Sequence, residues 1–437
     1  MSTRFTALLA LSLVALAGKA QPIDWHDPSA VAQAAANAHP SLRRIEADAR
    51  GAKERVTTAA SYPNPMLMGG IQDLQVDLSH DPMMTMYMVG ASQTIPRRSR
   101  RNALRSAAEL DVRKIELEAA SIRAEAERDA IFSWYDIAAS DSQNRTLQEV
   151  GKALDTLVAA VRARYESGNA IQADIIRAQL QRSEVDHQIL AITGIRRAAA
   201  ARLLALLGLP LTIDIPQLHV SHATEKVSIS DAREIPDSHP ALMALRTEVD
   251  RREEEIRLAK LLGRPDIHVE ASYGLRPQET DMVSLVARME LPLRRKTTIE
   301  PRVREAIALR DAASARIEET RRALVADLGV AWEAHAEATG QIEFHEQTLV
   351  PQSKLAFEST RAAYEGGKTT LDAVLASQAA YLRLGTDYYG FLAQHIKAVT
   401  DFNAIKRGAR AGAIAGSAAM SSQRAAAPMP SAAPEMR

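Results

Sequence analysis

Two sets of residues in this chain combine side-chain type and spacing in a way that bears on function. The first is R-x-x-Y-x-x-G, present as Arg162, Tyr165 and Gly168 and again as Arg361, Tyr364 and Gly367, a shift of 199 residues each time. Gln179 and Gln378 follow at the same offset. Glycine in this pattern can end a helix while arginine and tyrosine pack the turn. The second set is Met66, Met68, Met83, Met84, Met86 and Met88, nearly half of the 13 methionines in the chain. Thioethers are soft ligands suited to Cu(I).

Catalytic sets are missing. The sequence contains no H-E-x-x-H, G-x-S-x-G, Walker loop or G-x-G-x-x-G, and no cysteine nucleophile. His268-Val269-Glu270 imitates the H-x-E of zinc deaminases, but their P-C-x-x-C is impossible without cysteine. His39 and His239 each precede a proline and read as helix-boundary residues rather than ligands. No enzyme activity, cofactor or resident metal is expected. The 54 basic and 54 acidic residues balance, so the clustered positive charge that phosphate backbones require is absent and no nucleic-acid partner is expected.

The elements that position these residues follow from composition and periodicity. A chain of 437 residues rich in Ala, Leu, Arg and Glu with 4% aromatics favours long helices and coiled coils. It is written twice. His39-Pro40-Ser41-Leu42 returns as His239-Pro240-Ala241-Leu242, and Gln93-Thr94-Ile95-Pro96 with its basic run through Arg101 returns as Met289-Glu290-Leu291-Pro292 with Arg294, Arg295 and Lys296. Each half reads as helix, two strands and two very long helices. Ile267, Val269, Ala271, Tyr273 and Leu275 alternate with polar neighbours, and Val283 to Leu291 does the same. Such strands, about ten residues long, suffice to cross an outer membrane when tilted.

Four strands cannot close a barrel. Unpaired backbone groups facing lipid cost several kcal/mol each, and the smallest barrels need about eight strands, so several chains must share one. Arg97 to about Tyr165 as one helix would run on the order of 100 Å, which only lateral partners stabilise. Leu147, Val150, Leu154, Leu157 and Val161 step by 3 and 4 as a coiled-coil seam, and Leu324, Leu328 and Ala331 begin another. Gly168-Asn169 and Gly366-Gly367 tolerate positive φ and let each long helix turn back.

The predicted organisation is an export signal over 1–20, a first repeat over 21–209 (strands about 65–77 and 83–95, hairpin tip near 168), a proline-bearing linker over 210–237, a second repeat over 238–410 (strands about 266–276 and 281–291, tip near 367) and a disordered tail over 411–437. The apolar run from Phe5 to Ala17 is too short to span a bilayer and precedes a small-residue cleavage site. Without cysteine no acylated N-terminal anchor is expected, so membrane attachment must come from the fold.

Tyr62-Pro63-Asn64-Pro65, the strand Gly69-Gly70-Ile71-Gln72-Asp73-Leu74 and the strand Met83 to Gln93 bring the chain, over roughly 28–408, to a resemblance with the TolC-type outer-membrane factor family, and within it with the heavy-metal branch of CzcC and CusC. That resemblance implies a mainly α fold with a small β part. Three chains would share a 12-stranded outer-membrane barrel in contact with lipid and a periplasmic helical tunnel in a Gram-negative cell. It implies a passive duct working with a periplasmic adaptor protein and an inner-membrane RND pump. On it, Arg162, Tyr165, Gly168, Arg361, Tyr364 and Gly367 dock the adaptor, and Asp174 and Asp372 lie at a constricted tunnel mouth, where a ring of carboxylates would tune opening.

The chain departs from the family in three places. The acidic positions usual in the second repeat fall on Ala373 and Ala376, with Asp372 displaced by one, and an aspartate at a helix N-terminus is also favourable simply through the macrodipole. Arg97 and Arg98 replace the usual glycine pair and make the barrel exit more basic, and the N-terminal cysteine of some members is missing. The methionines, lying in barrel strands, read as packing or lipid-facing residues, since a channel that holds its cargo tightly conducts poorly. Other readings are a multidrug or type I secretion channel of the same fold and a periplasmic coiled-coil scaffold, which would not need alternating strands in both repeats.

Overall fold

The computed structural model describes residues 23–73, 85–220, 234–276 and 279–410. The expected export signal, the tail from 411, Met83, Met84 and linker residues 221–233 lie outside them. Helices α1 (Pro28–Ala38) and α2 (Pro40–Ala60) precede strands β1 (Met66–Gln72) and β2 (Met86–Ile95) and helices α3 (Arg98–Glu166) and α4 (Gln172–Leu206). The plan then returns as α5 (Pro240–Leu261), β3 (Ile267–Leu275), β4 (Met282–Met289), the single turn α6 (Arg295–Thr298), α7 (Glu300–Phe344), a π-helical segment (His345–Leu349), α8 (Val350–Glu365) and α9 (Leu371–Lys406). The described chain is mainly helical with one small antiparallel sheet, the fold class expected from its composition and repeats.

Prolines explain two departures from the simplest plan. The helix that opens the first repeat is split, because Pro40 forces His39 into an extended conformation (ψ 124°). The long helix after β4 carries a five-residue π turn just before Pro351. Proline lacks the N–H that would bond Gln347, and its ring crowds that carbonyl, so the ladder opens by one residue and the helix continues. His239 caps α5, its Nδ1 accepting from the Ala241 amide at 3.3 Å.

The chain forms two compact units. One comprises Ser41–Ile122 and Ile235–Ala326. Its sheet has the order β1-β2-β3-β4 with every pair antiparallel. The Arg97 amide donates to Asp266 at 3.0 Å and Arg100 pairs with the same carboxylate at 2.5 Å, which ties the start of α3 to the entry of β3. Between α3 and α5, Glu248 accepts from Arg251 at 2.8 Å and from Lys114 at 3.2 Å. Burial alone would raise the Glu248 carboxyl, but the hydrogen bonds and charges of Arg251 and Lys114 outweigh it and hold its pKa at about 2.

The other unit holds α1, the remainder of α3 and α7, and α4, α8 and α9. The expected seam is its core: Leu147, Val150, Leu154, Leu157 and Val161 are buried against Ala178 and Val185 of α4 and against Phe357, Tyr364, Leu371, Val374 and Leu382 of α8 and α9. A second cluster joins Val31 and Ala35 of α1 to Trp134, Ile137 and Ala138 of α3 and Leu203 of α4. Beside it Asp141, almost fully buried, pairs with Arg196 at 2.6 Å and accepts the Leu218 amide at 2.9 Å, fixing the first part of the linker to the helices.

Removing the Asp141 carboxylate leaves the buried Leu218 amide without its acceptor and Arg196 without its counter-charge, with only the Ile215 and Pro216 carbonyls still bonded to it. Asp141→Ala is therefore expected to cost about 3 kcal/mol, read as a fall in the unfolding midpoint. A carboxyl whose pKa is depressed by folding contributes stability above its unfolded value, and that contribution is lost as pH falls toward the folded one. The wild type should lose stability between the ordinary glutamate range and pH about 2, and Glu248→Gln should flatten that part of the pH profile in denaturant melts.

Candidate functional site

The two R-x-x-Y-x-x-G segments form the turns at the ends of α3 and α8. In the first, the Gly168 amide bonds Tyr165 O at 3.0 Å and the Asn169 amide bonds Arg164 O at 2.8 Å. In the second, Gly367 bonds Tyr364 O at 2.9 Å and Lys368 bonds Ala363 O at 2.8 Å. This is the same reverse turn written 199 residues apart, and it places Gly168 at φ +79° and Gly367 at φ +73°, where a Cβ is strained. Both glycines are exposed.

The two tips differ in the rest of the motif. Arg162 is exposed and Tyr165 is 45% exposed, whereas Tyr364 is buried and Arg361 lies 3.8 Å from Glu365. Tyr364 is covered by Arg164, whose guanidinium stands 4.8 Å from the ring centroid and donates to Tyr364 O at 2.6 Å. Burial raises the Tyr364 phenol above its usual range, with Arg164 opposing the rise. Arg164 thus links the two turns. Nothing in the repeat pointed to it, because its counterpart is Ala363.

The helices that leave the tips are capped by opposite devices. The Asp174 carboxylate accepts the Ile171 amide at 3.2 Å, so the third residue of α4 reaches back. At the equivalent place in the second repeat Ala373 cannot do so, and the Thr370 hydroxyl accepts the Ala373 amide at 3.4 Å instead. Asp372, freed from capping, is exposed and lies 3.3 Å from Arg177 of α4. Both partners are more than half exposed, so the pair contributes well under about 1 kcal/mol. Like Arg164, Arg177 has an alanine, Ala376, at its repeat position.

The sheet supplies the second functional surface. Pairing register gives an apolar face with rows Ile71-Tyr87-Leu275, Val89-Tyr273-Val283, Ala91-Ala271-Leu285 and Ile95-Ile267-Met289. The opposite face carries Met68-Gly90-Ser272-Ser284, Thr94-His268-Arg288 and Met66-Ser92-Glu270-Val286. On it Glu270 pairs with Arg288 at 2.7 Å and Thr94 bonds His268 at 2.9 Å. An ion pair does not look into hydrocarbon, so this face is the aqueous one. Met86, Met88 and Met282 share it, with Met88 and Met282 flanking Gly274 in one row and the Met86 thioether lying over that glycine. Of the methionines expected to pack or to face lipid, Met86 is buried against Gly274, whereas Met66, Met68 and Met88 lie on the face that carries Ser92, Ser272, Ser284 and Glu270.

A sheet with one apolar and one aqueous face, open at β1 and β4, defines a segment of a transmembrane β-barrel wall; among the described residues no helix is long and apolar enough to cross a membrane. The sequence profile of the outer membrane efflux protein family matches residues 31–209 and 232–401, one stretch in each repeat, and the chain belongs to that family. It is therefore an efflux channel protein of the outer membrane and not an enzyme. The fold is similar to the outer-membrane channel OprN (TM-score 0.74, 12% identity, covering 88% of this chain and 91% of that one). It is equally similar to CusC (TM-score 0.74, 13% identity, 88% and 92%) and resembles VceC of Vibrio cholerae (TM-score 0.71, 17% identity, 87% and 96%). No curated protein matches the chain by sequence.

Arg164→Ala should loosen the paired tips without touching the seam. Amide exchange at Tyr364–Lys368 is expected to rise severalfold while exchange in Leu147–Leu157 stays unchanged.

Proposed function

We propose that three copies of this chain close one barrel and one helical duct, and that this duct carries metal cations from the periplasm to the exterior. The open edges β1 and β4 support the trimer, since hydrocarbon leaves no solvent to satisfy their backbone groups and twelve strands are enough to close. The mechanism is passive. A proton-driven inner-membrane RND pump and its adaptor supply the energy, the adaptor engages the tips at Arg162, Tyr165, Gly168, Arg361, Tyr364 and Gly367, and the mouth dilates. Asp174 and Asp372 stand just beyond the tips; Asp174 is occupied in capping, which leaves the exposed pair of Asp372 and Arg177 as the gate charges of this reading.

The observation that supports the metal cargo is the placement of Met66, Met68, Met88 and Met282 on the polar face of the sheet. Thioethers spread over separate rows of a conducting wall offer soft cations weak sites without a closed cage, which suits passage better than retention. The resemblance to the heavy-metal branch agrees with it.

The test is deletion of the gene followed by growth inhibition with copper, silver, cobalt, zinc, cadmium and a panel of antibiotics. Wild type should restore selective metal tolerance. The triple variant M66L/M68L/M88L should restore antibiotic tolerance, if any is lost, but only part of the copper and silver tolerance; equal rescue by wild type and variant removes the thioether argument. Sensitivity to antibiotics alone discards the metal cargo and keeps the channel. Gly367→Trp should abolish efflux while the trimer persists, and surviving efflux would remove the docking role.

A further inference from the structure

Each repeat places a basic run just after the proline that follows its second strand, from Arg97 in the first and, past Leu293, from Arg294 in the second, and the antiparallel register gathers both runs at one end of the sheet, where Ile95, Ile267 and Met289 lie in one row. The first run is engaged. Arg97 donates to Pro265 O at 3.0 Å, Arg100 pairs with Asp266, and Arg101 donates to the Tyr62 hydroxyl at 2.9 Å while covering a tyrosine ring at 4.0 Å. The second run is paired with no carboxylate among the described residues, and only the Arg295 guanidinium lies against the chain, at Gly263. Arg294, Arg295 and Lys296 are exposed, and among the described residues their side chains make no ion pair. With Lys260 and Arg304 they line a cleft of about 1040 Å³ whose single carboxylate, Glu300, lies 3.8 Å from Arg304.

The cleft begins where the apolar face stops. Leu291 and Leu293 are 61% and 86% exposed, and three consecutive cations follow. Within roughly 10 Å of chain the surface passes from hydrocarbon-like to strongly cationic, which is the profile of a bilayer boundary. Guanidinium forks fit phosphate oxygens two at a time, and a lysine adds a point charge. Leu293 at the rim gives an acyl chain a continuous path onto the apolar face of the sheet.

We propose that this cleft seats the phosphate of an anionic phospholipid in the leaflet on the helix-joined side of the barrel. The excess of cations over carboxylates is the complement of that headgroup, and the apolar rim distinguishes it from a site for a soluble anion. Basic residues near a membrane surface each add roughly fivefold to anionic-lipid affinity, so losing three together is expected to weaken binding on the order of a hundredfold.

The experiment uses the purified full-length trimer in nanodiscs of phosphatidylcholine with and without phosphatidylglycerol, reading bound lipid by native mass spectrometry and trimer melting on gels. Wild type should retain phosphatidylglycerol preferentially and melt higher in its presence, and R294Q/R295Q/K296Q should lose both effects. Arg43→Gln, an exposed arginine on α2 about 25 Å of helix from the strands, should keep both. Equal phosphatidylglycerol binding by wild type and the triple variant would overturn the proposal. So would a triple variant that fails to trimerise in phosphatidylcholine alone, because the cleft would then be a contact between copies, and so would stabilisation of wild type by inorganic phosphate equal to that by the lipid.

Discussion

Everything in this chain answers to the backbone groups at the two edges of a four-stranded sheet. Inside a membrane those N–H and C=O groups have no water to turn to, and a sheet of this width cannot curl far enough to satisfy them itself. The chain meets the difficulty by duplication rather than by adding strands: each repeat contributes one antiparallel pair, and β2 and β3 join the pairs into one surface whose register holds from Tyr87–Leu275 to Ile95–Ile267. That single interface aligns the faces of both pairs, and therefore decides which side chains meet lipid and which meet water.

The helical part shows how a duplicated plan becomes asymmetric without losing its geometry. Both tips use one reverse turn with a glycine at positive φ. Around that turn, side chains have diverged in a compensating way, Asp174 capping from inside its helix and Thr370 from in front of it. Divergence then becomes useful. Arg164 and Arg177 each come from a position whose repeat partner is alanine, and each reaches across to the other repeat, toward Tyr364 and Asp372.

Much of this is legible in the residues because it rests on local periodicity. The steps of Leu147 to Val161 describe a stripe that has to be buried, and R-x-x-Y-x-x-G followed by a turn residue describes a helix end. What the sequence does not show is set by pairing at a distance. Alternation in β1 and β2 is blurred by Gly69, Gly70 and Gly90, so the faces of Met66, Met68, Met86 and Met88 become defined only when β2 is aligned with β3. Arg164 and Arg177 escape because searching for what two repeats share removes what they do not. The π turn escapes because proline near a helix start is ordinary, and only the unbroken passage of α7 into α8 makes Pro351 an interruption.

That interruption has a directional consequence. A π turn spends one extra residue without adding a turn of rise, so everything beyond it is rotated by about the 100° that one helical residue subtends. The 16 residues of α8 carry that rotation straight to the tip at Gly367. The heading of the second tip is thus set more than a dozen residues upstream by a ring that cannot donate a hydrogen bond, whereas the first tip, at the end of an uninterrupted α3, takes its heading from the helix alone. Pro351 acts as a fixed rudder, and two loops of the same shape are steered to different bearings.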